Sequence, residues 1–265
     1  MDIIVCIKQV PDTGQVKIDP HTHTLIREGV ESIINPYDRY AIEEGVRIKE
    51  RYGGKVTAIS MGPPQAKEAL KEAISCGVDE AVLLCDRAFA GADTLATTYT
   101  LAKGIEQIGR FDLIICGKQT IDGDTAQVGP GVAERLDIPY VSYVRKIEFI
   151  GNRCARVERM MDDGYDILEM DLPALITVTK EINEPRLPSL KGEVRAASIE
   201  IPMYTAKDLG IDINKIGLAG SATEVIKIFP PPKKGQYERI EGTLDEQVET
   251  LLKKLKELGI INIPL

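Results

Sequence analysis

Residues 117–136 read GKQTIDGDTAQVGPGVAERL. Their types suit a phosphate. A glycine such as Gly117 lets a backbone come close to a ligand, and the first amides of a helix have no partner within it. The spacing predicts a turn at the end of a strand, then a helix over 125–136, with Thr125 and the amides of residues 124–128 at its start. Two aspartates, Asp122 and Asp124, sit in the same turn, where they would repel a phosphate. Either can act as the N-cap and bond those amides itself. Carboxylates also suit ribose hydroxyls. These residues alone leave two readings open. One is a capped helix with no ligand. The other is a nucleotide cradle, in which amides hold phosphate while acids organise the turn or hold the sugar.

The other chemical signals are mostly exclusions. No G-x-G-x-x-G follows the first strand and no G-x-x-x-x-G-K-[ST] occurs, so neither an ordinary dinucleotide fingerprint nor a P-loop is present. DGDTA has the look of a phosphatase aspartate pair, but it stands after the fourth strand and has Ala126 at the wrong place. No Ser/His/Asp or Cys/His set is visible. Any hard chemistry must come from a cofactor that the chain positions.

The elements that would position such a cofactor alternate over the first ~140 residues. Strands are expected at 3–8, 55–62, 80–85 and 111–117, and helices at 36–54, 63–77, 92–109 and 125–136. That alternation predicts an α/β, Rossmann-like parallel sheet covered on both faces. Ligands of such sheets bind beyond the carboxyl ends of the strands. Four stretches should converge there: 6–8, 61–63, 86–98 and 117–128. Residues 140–180 read as β segments, with a hairpin turn at GNR (151–153), so an antiparallel extension is expected. Residues 181–198 carry prolines and no clear period, and an extended region is expected to about 235, where PPPKKG marks a linker. The last helix spans 243–259, with Thr243 and Glu246 as a capping box and Gly259 as its stop. Its stripe of Leu244, Val248, Leu251, Leu252, Leu255 and Leu258 docks either on the chain's own core or on a partner, and the proline-rich linker suits an arm that reaches away. The expected division is 1–185, 186–235 and 236–265.

Composition bounds the class. With 265 residues and 43% hydrophobic content, a sizeable core can form, and a net charge of −8 disfavours nucleic acid. No apolar run is long enough for a membrane span, and the N-terminus reads as a strand and not as a signal peptide. The five scattered cysteines read as buried reduced thiols of a cytoplasmic protein, and His21 and His23 lie in a polar turn, so no metal site is expected.

Longer stretches carry a resemblance. IVCIKQVPDT, INPYDRYAIEEGVRIKE, SMGPPQAKEALKEAISCGVDEAVLL, GKQTIDGDTAQVGP and VERMMDDGYDILEMDLPALIT resemble, along nearly the whole chain, the β (small) subunit of electron-transfer flavoproteins. Asp166 departs from the family's usual Glu or Gln. NEPRLPSLKGEVRAA resembles the family's partner-recognition loop, with Leu190 at the anchor leucine.

The resemblance implies a partner α subunit carrying a mobile FAD domain, on which the C-terminal arm docks. Respiratory members hold a structural AMP in the β subunit, while electron-bifurcating members hold FAD there. DRAFAGADTLATT (86–98) is similar to the bifurcating group, in which this segment lies against the flavin ring. Asp93, Thr94 and Thr97 would then face the flavin edge, although Asp93-Thr94 also reads as a helix N-cap. Cys6, Asn35, Tyr37 and Met61 would surround adenine and ribose. Gly117, Lys118, Gln119, Asp122, Asp124, Thr125, Gln127 and Val128 would hold ribose and pyrophosphate. The implied activity is flavin-based bifurcation. NADH is the donor, ferredoxin takes one electron, and the other passes through the α-subunit FAD to a dehydrogenase of acyl-CoA or 2-hydroxy-acid type. The alternatives are a respiratory-type subunit with AMP only, and a stand-alone adenine-nucleotide sensor.

Overall fold

The computed structural model describes residues 1–12, 17–18, 25–26, 32–150, 153–226 and 238–262. His21, His23, Gly151 and Asn152 of the expected hairpin turn, and the PPPKKG linker lie outside the described residues. In chain order the first elements are β1 (Asp2–Cys6), β2 (Gln9–Pro11), β3 (Lys17–Ile18), β4 (Leu25–Ile26), β5 (Ser32–Ile34), α1 (Pro36–Tyr52), β6 (Lys55–Met61), α2 (Lys67–Ser75) and β7 (Glu80–Leu84). There follow α3 (Thr94–Ile108), β8 (Leu113–Gly117), α4 (Val128–Leu136), β9 (Tyr140–Ile150), β10 (Cys154–Met160), β11 (Tyr165–Asp171), β12 (Ala174–Val178), α5 (Leu190–Ser198), β13 (Met203–Tyr204) and α6 (Leu244–Glu257).

Among the described residues, nine strands make one sheet in the order β11-β10-β9-β12-β8-β1-β6-β7-β13. The stretch from β9 through β12, β8, β1, β6 and β7 to β13 is parallel. β9, β10 and β11 form the antiparallel extension. Ile3 and Val5 of β1 face a core shared with α1, α2 and α5, while Ile4 and Cys6 face one shared with α3 and α4. Burial on both faces is why β1, β6 and β8 read as continuous apolar runs and not as alternating ones. From β1 the chain builds β6 and β7 on one side, then crosses to place β8 on the other. That reversal between β1 and β8 is the switch point at which such sheets open a crevice.

Three expectations need correction. The helix expected from 125 begins at Val128, because Asp124 (φ 54°) and Ala126 (φ 55°) are left-handed and cannot belong to a right-handed helix. The β segment expected over 165–180 is two strands, parted at Leu172–Pro173. β11 stays in the antiparallel edge and β12 returns to the parallel core beside β8. The region expected to be extended after 181 contains α5 and β13. Ser189 caps α5, its hydroxyl accepting from the Gly192 amide at 3.0 Å, and Arg195 donates to the carbonyls of Val78 and Asp79. Nine residues with a glycine in the first turn give too short a period to read locally.

The chain divides into two units, Met1–Ile228 and Phe229–Leu265. In the second, the capping box forms as expected: Thr243 and Glu246 bond each other reciprocally at the start of α6. Leu244 is 76% exposed and Val248 48%, while Leu252 and Leu255 of the stripe are partly buried. Among the described residues, no helix is long and apolar enough to cross a membrane.

Candidate cofactor-binding site

Cys6, the last residue of β1, and Cys116, the last but one of β8, stand in register at the switch point. Both are buried, and the neighbouring Cys6 thiol, reinforced by burial, pushes the Cys116 thiol well up. Cys116 is thereby kept as the neutral thiol. Met61 ends β6 in register with Leu84 and packs on the α3/α4 side of the core.

Gly117 follows Cys116, and its need for glycine is not what the sequence suggests. A Cβ there would lie 2.3 Å from Asp38 Oδ1 and 2.7 Å from the Tyr37 carbonyl carbon. The close approach that the structure shows is to the start of α1. Asn35 and Asp38 make that start the hub of the site. Asn35 Nδ2 donates to Asp38 Oδ1 at 2.9 Å and to the Gln119 carbonyl at 2.9 Å, while its Oδ1 accepts from the Ile121 amide at 3.2 Å. Asp38 Oδ2 accepts from the Lys8 amide at 2.7 Å. Burial pushes the Asp38 carboxyl up to about 7, against the Asn35 amide and the Lys8 amide and charge that favour its ionised form. Asp38 was missed by the sequence reading, although it lies in the NPYDRY stretch one residue beyond Tyr37.

Neither aspartate of the turn caps α4. Asp122 pairs with Lys8 Nζ at 2.7 Å. Burial opposes that ionisation, but the Lys8 hydrogen bond and charge outweigh it and hold the carboxyl below its usual range. Asp124 accepts from Gln119 Nε2. Gln127 stands at the N-cap position without a side-chain cap, and its amide meets only Thr125 Oγ1, at 3.4 Å. No protein acceptor among the described residues meets the amides of Thr125 and Ala126. Two left-handed residues two apart thus leave backbone N–H groups without a protein partner among the described residues at an uncapped helix start, an arrangement that suits an anion. Lys8 offsets the charge of Asp122, and Gln119 ties down the carboxylate of Asp124. Lys118 rests its ammonium 5.4 Å from the Tyr143 ring centre; Tyr143 (φ 63°) sits where β9 shifts register against β12. Val128 opens α4 and packs, partly buried, on the α3/α4 side of the core.

The end of the stretch 86–98 packs on the body of α4, the helix that this turn leads into. Arg135 of α4 donates to Thr98 Oγ1 and to the Leu95 carbonyl, both at 3.0 Å. Asp93 caps α3, accepting from the Ala96 amide at 3.0 Å, with Thr94 first in the helix and Thr97 one turn on. Its carboxylate is occupied by protein donors, so it is not a free contact for a ligand edge. Leu190 lies apart from this set, at the start of α5 and 89% exposed.

The sequence is similar to known proteins over almost its whole length. Residues 22–209 match the family described as electron transfer flavoprotein domain. The chain is 53% identical to the electron transfer flavoprotein subunit beta of Thermoanaerobacterium thermosaccharolyticum, over 98% of this chain and 100% of that one. It is 50% identical to the caffeyl-CoA reductase-Etf complex subunit CarD of Acetobacterium woodii, over 98% and 100%. It is 44% identical to the protein FixA of Bradyrhizobium diazoefficiens, over 95% and 90%. A family match across most of the chain, laid over an α/β sheet with a cofactor-suited turn at its switch point, means that this chain belongs to the β subunits of electron transfer flavoproteins and serves electron transfer.

Proposed function

We propose that this chain pairs with an electron-transfer flavoprotein α subunit, holds FAD at the strand ends, and takes part in flavin-based electron bifurcation. The carrying observation is a pair of features: the amides of Thr125 and Ala126 have no protein acceptor among the described residues at the start of α4, and the 86–98 stretch runs into α3, which packs on α4. AMP needs only the first. The second gives a ligand with a ring system something to lie against: in this reading Gly91 and Ala92, both small, leave room for it. The CarD name, which speaks of a reductase–Etf complex, favours the same reading.

In this reading Cys6, Asn35, Tyr37 and Met61 border adenine and ribose. Residues 117–119 and 122–128 form the pyrophosphate turn, and Thr94 and Thr97 lie toward the ring. FAD bound there would supply hydride acceptance from NADH and one-electron delivery, to ferredoxin on one branch and through the α-subunit FAD to an acyl-CoA or 2-hydroxy-acid dehydrogenase on the other. The chain's own part is to bind, orient and exclude water. The C-terminal α6, with its partly exposed apolar stripe, is the arm that docks on the α subunit. The residues fit a cytoplasmic complex.

The test is a count of FAD and AMP released from the purified heterodimer. Two FAD and no AMP supports the proposal. One FAD and one AMP replaces it with the second reading, a structural nucleotide and one-flavin electron transfer.

A further inference from the structure

Two carboxylates stand at the two ends of the loop 87–92. Asp86 caps a 3-10 turn at Arg87–Phe89, with Oδ1 accepting from the Ala88 amide at 3.0 Å. Asp93 caps α3 at the other end, with Oδ1 accepting from the Ala96 amide at 3.0 Å. In each, the second oxygen reaches a distant segment. Asp86 Oδ2 accepts from the Ala206 amide at 3.0 Å. Asp93 Oδ2 accepts from the amides of Ala222 at 2.7 Å and Thr223 at 3.0 Å, and from the Thr223 hydroxyl at 3.2 Å. The Asp93 amide in turn donates to Ser221 Oγ at 2.8 Å, and the Leu218 amide donates to the Ala90 carbonyl at 3.1 Å. Gly217 (φ 53°) presses so close that a Cβ would lie 2.0 Å from the Ala88 carbonyl oxygen.

Within the loop only Phe89 is buried, while Arg87, Ala88, Ala90 and Gly91 are exposed. Side-chain packing therefore does little to fix its backbone, and the hydrogen bonds at its ends and along its back do most. Both carboxyls lie below their usual range. For Asp86 the Ala88 and Ala206 amides lower it. For Asp93 desolvation pushes upward and is outweighed by the Ala96, Thr223 and Ala222 amides and the Thr223 hydroxyl.

We propose that Asp86 and Asp93 are positioning residues that clamp the 87–92 loop onto the 206–223 segment, and so set the environment of a flavin ring lying against that loop without touching it. The proposal rests on the reading that FAD occupies this site. It also makes the segment that ends at Thr223, some twenty residues before α6, a working part of the site and not a spacer.

The test uses the α/β heterodimer and separates cap from clamp. Asp93→Ser keeps an N-cap hydroxyl for the Ala96 amide but has no second oxygen for Ala222 and Thr223. Amide exchange at Ala222 and Thr223 should quicken by about tenfold or more, the expected scale for losing hydrogen bonds to a charged acceptor. The midpoint potential of the flavin on this chain should shift, and its reduction by NADH should slow by about tenfold, with flavin count and far-UV circular dichroism unchanged. Asp86→Asn should act in the same direction and stands in if Asp93→Ser does not fold. Asp208→Asn is the control. That carboxylate serves only its own turn, accepting from the Thr205 amide at 2.8 Å and hydroxyl at 2.7 Å, and should leave both flavin readouts at wild type. Faster exchange with unchanged potential and NADH reduction would overturn the proposal, leaving a structural clamp that positions nothing. Unchanged exchange would overturn it too, as would an equal flavin shift in Asp208→Asn. One FAD and one AMP in the wild type would remove the ring itself. That outcome overturns the underlying reading as well, and the wild-type count alone identifies it.

Discussion

Asp38 is fully buried beside two amide donors, and desolvation wins over them. Its folded pKa, about 7, lies above the ordinary 3.8 of an unfolded aspartate. Between those values the folded state binds the proton and the unfolded state does not, so stability falls as pH rises from about 4 to about 7 and is level above that. The contribution is at most about 4 kcal/mol. Asp38→Asn should abolish this slope. Melting temperature followed from pH 4 to 8 in both proteins checks it, and parallel curves would refute it. Asn35 and the Lys8–Asp122 pair make a second contrast. Asn35 is 0% exposed and holds three partners, so Asn35→Ala should cost roughly 2–4 kcal/mol by leaving the Ile121 amide and Gln119 carbonyl unpaired. Lys8 is 45% exposed on its side chain, and Lys8→Met should cost under about 1 kcal/mol. Denaturant unfolding of both variants tests the ranking. Gly117→Ala sets a methyl against the backbone of residues 37 and 38 and should cost about 1–3 kcal/mol as overpacking, together with loss of bound nucleotide.

At the scale of elements, local chemistry was mostly legible. The capping box of α6 and the aspartate cap of α3 depend on contacts within three residues, and both form as the sequence implies. Thr243→Ala should lower the stability of α6 by about 1 kcal/mol, read as lost helicity of that segment by circular dichroism of the heterodimer or by faster exchange at Glu246. The start of α4 was misplaced because the signal that decides it, left-handed backbone at Asp124 and Ala126, belongs to the turn and its distant partners and not to the helix. The helix α5 was missed because its hold comes from Arg195 on the turn before β7, more than a hundred residues earlier in the chain.

For the whole molecule, the partly exposed stripe of α6 carries the assembly prediction. Val248→Asp with Leu251→Asp should reduce recovery of the α subunit in co-purification at least several-fold, while the melting of the Met1–Ile228 unit stays unchanged. Full recovery of the α subunit would assign its hold to other surfaces.

The sequence by itself determined the alternation of strands and helices to about residue 140, the caps of α3 and α6, and the antiparallel extension. Periodicity and capping act over a few residues, so the chain carries them locally. Only the tertiary structure decided which side of β1 receives β8, and with it the crevice. It also decided what the acidic residues do. Asp122 meets Lys8 across 114 residues and Asp93 meets Thr223 across 130. Such pairings follow from strand order and helix packing. A carboxylate that looks like a ligand contact in the sequence becomes a clamp once the sheet brings its donors to it.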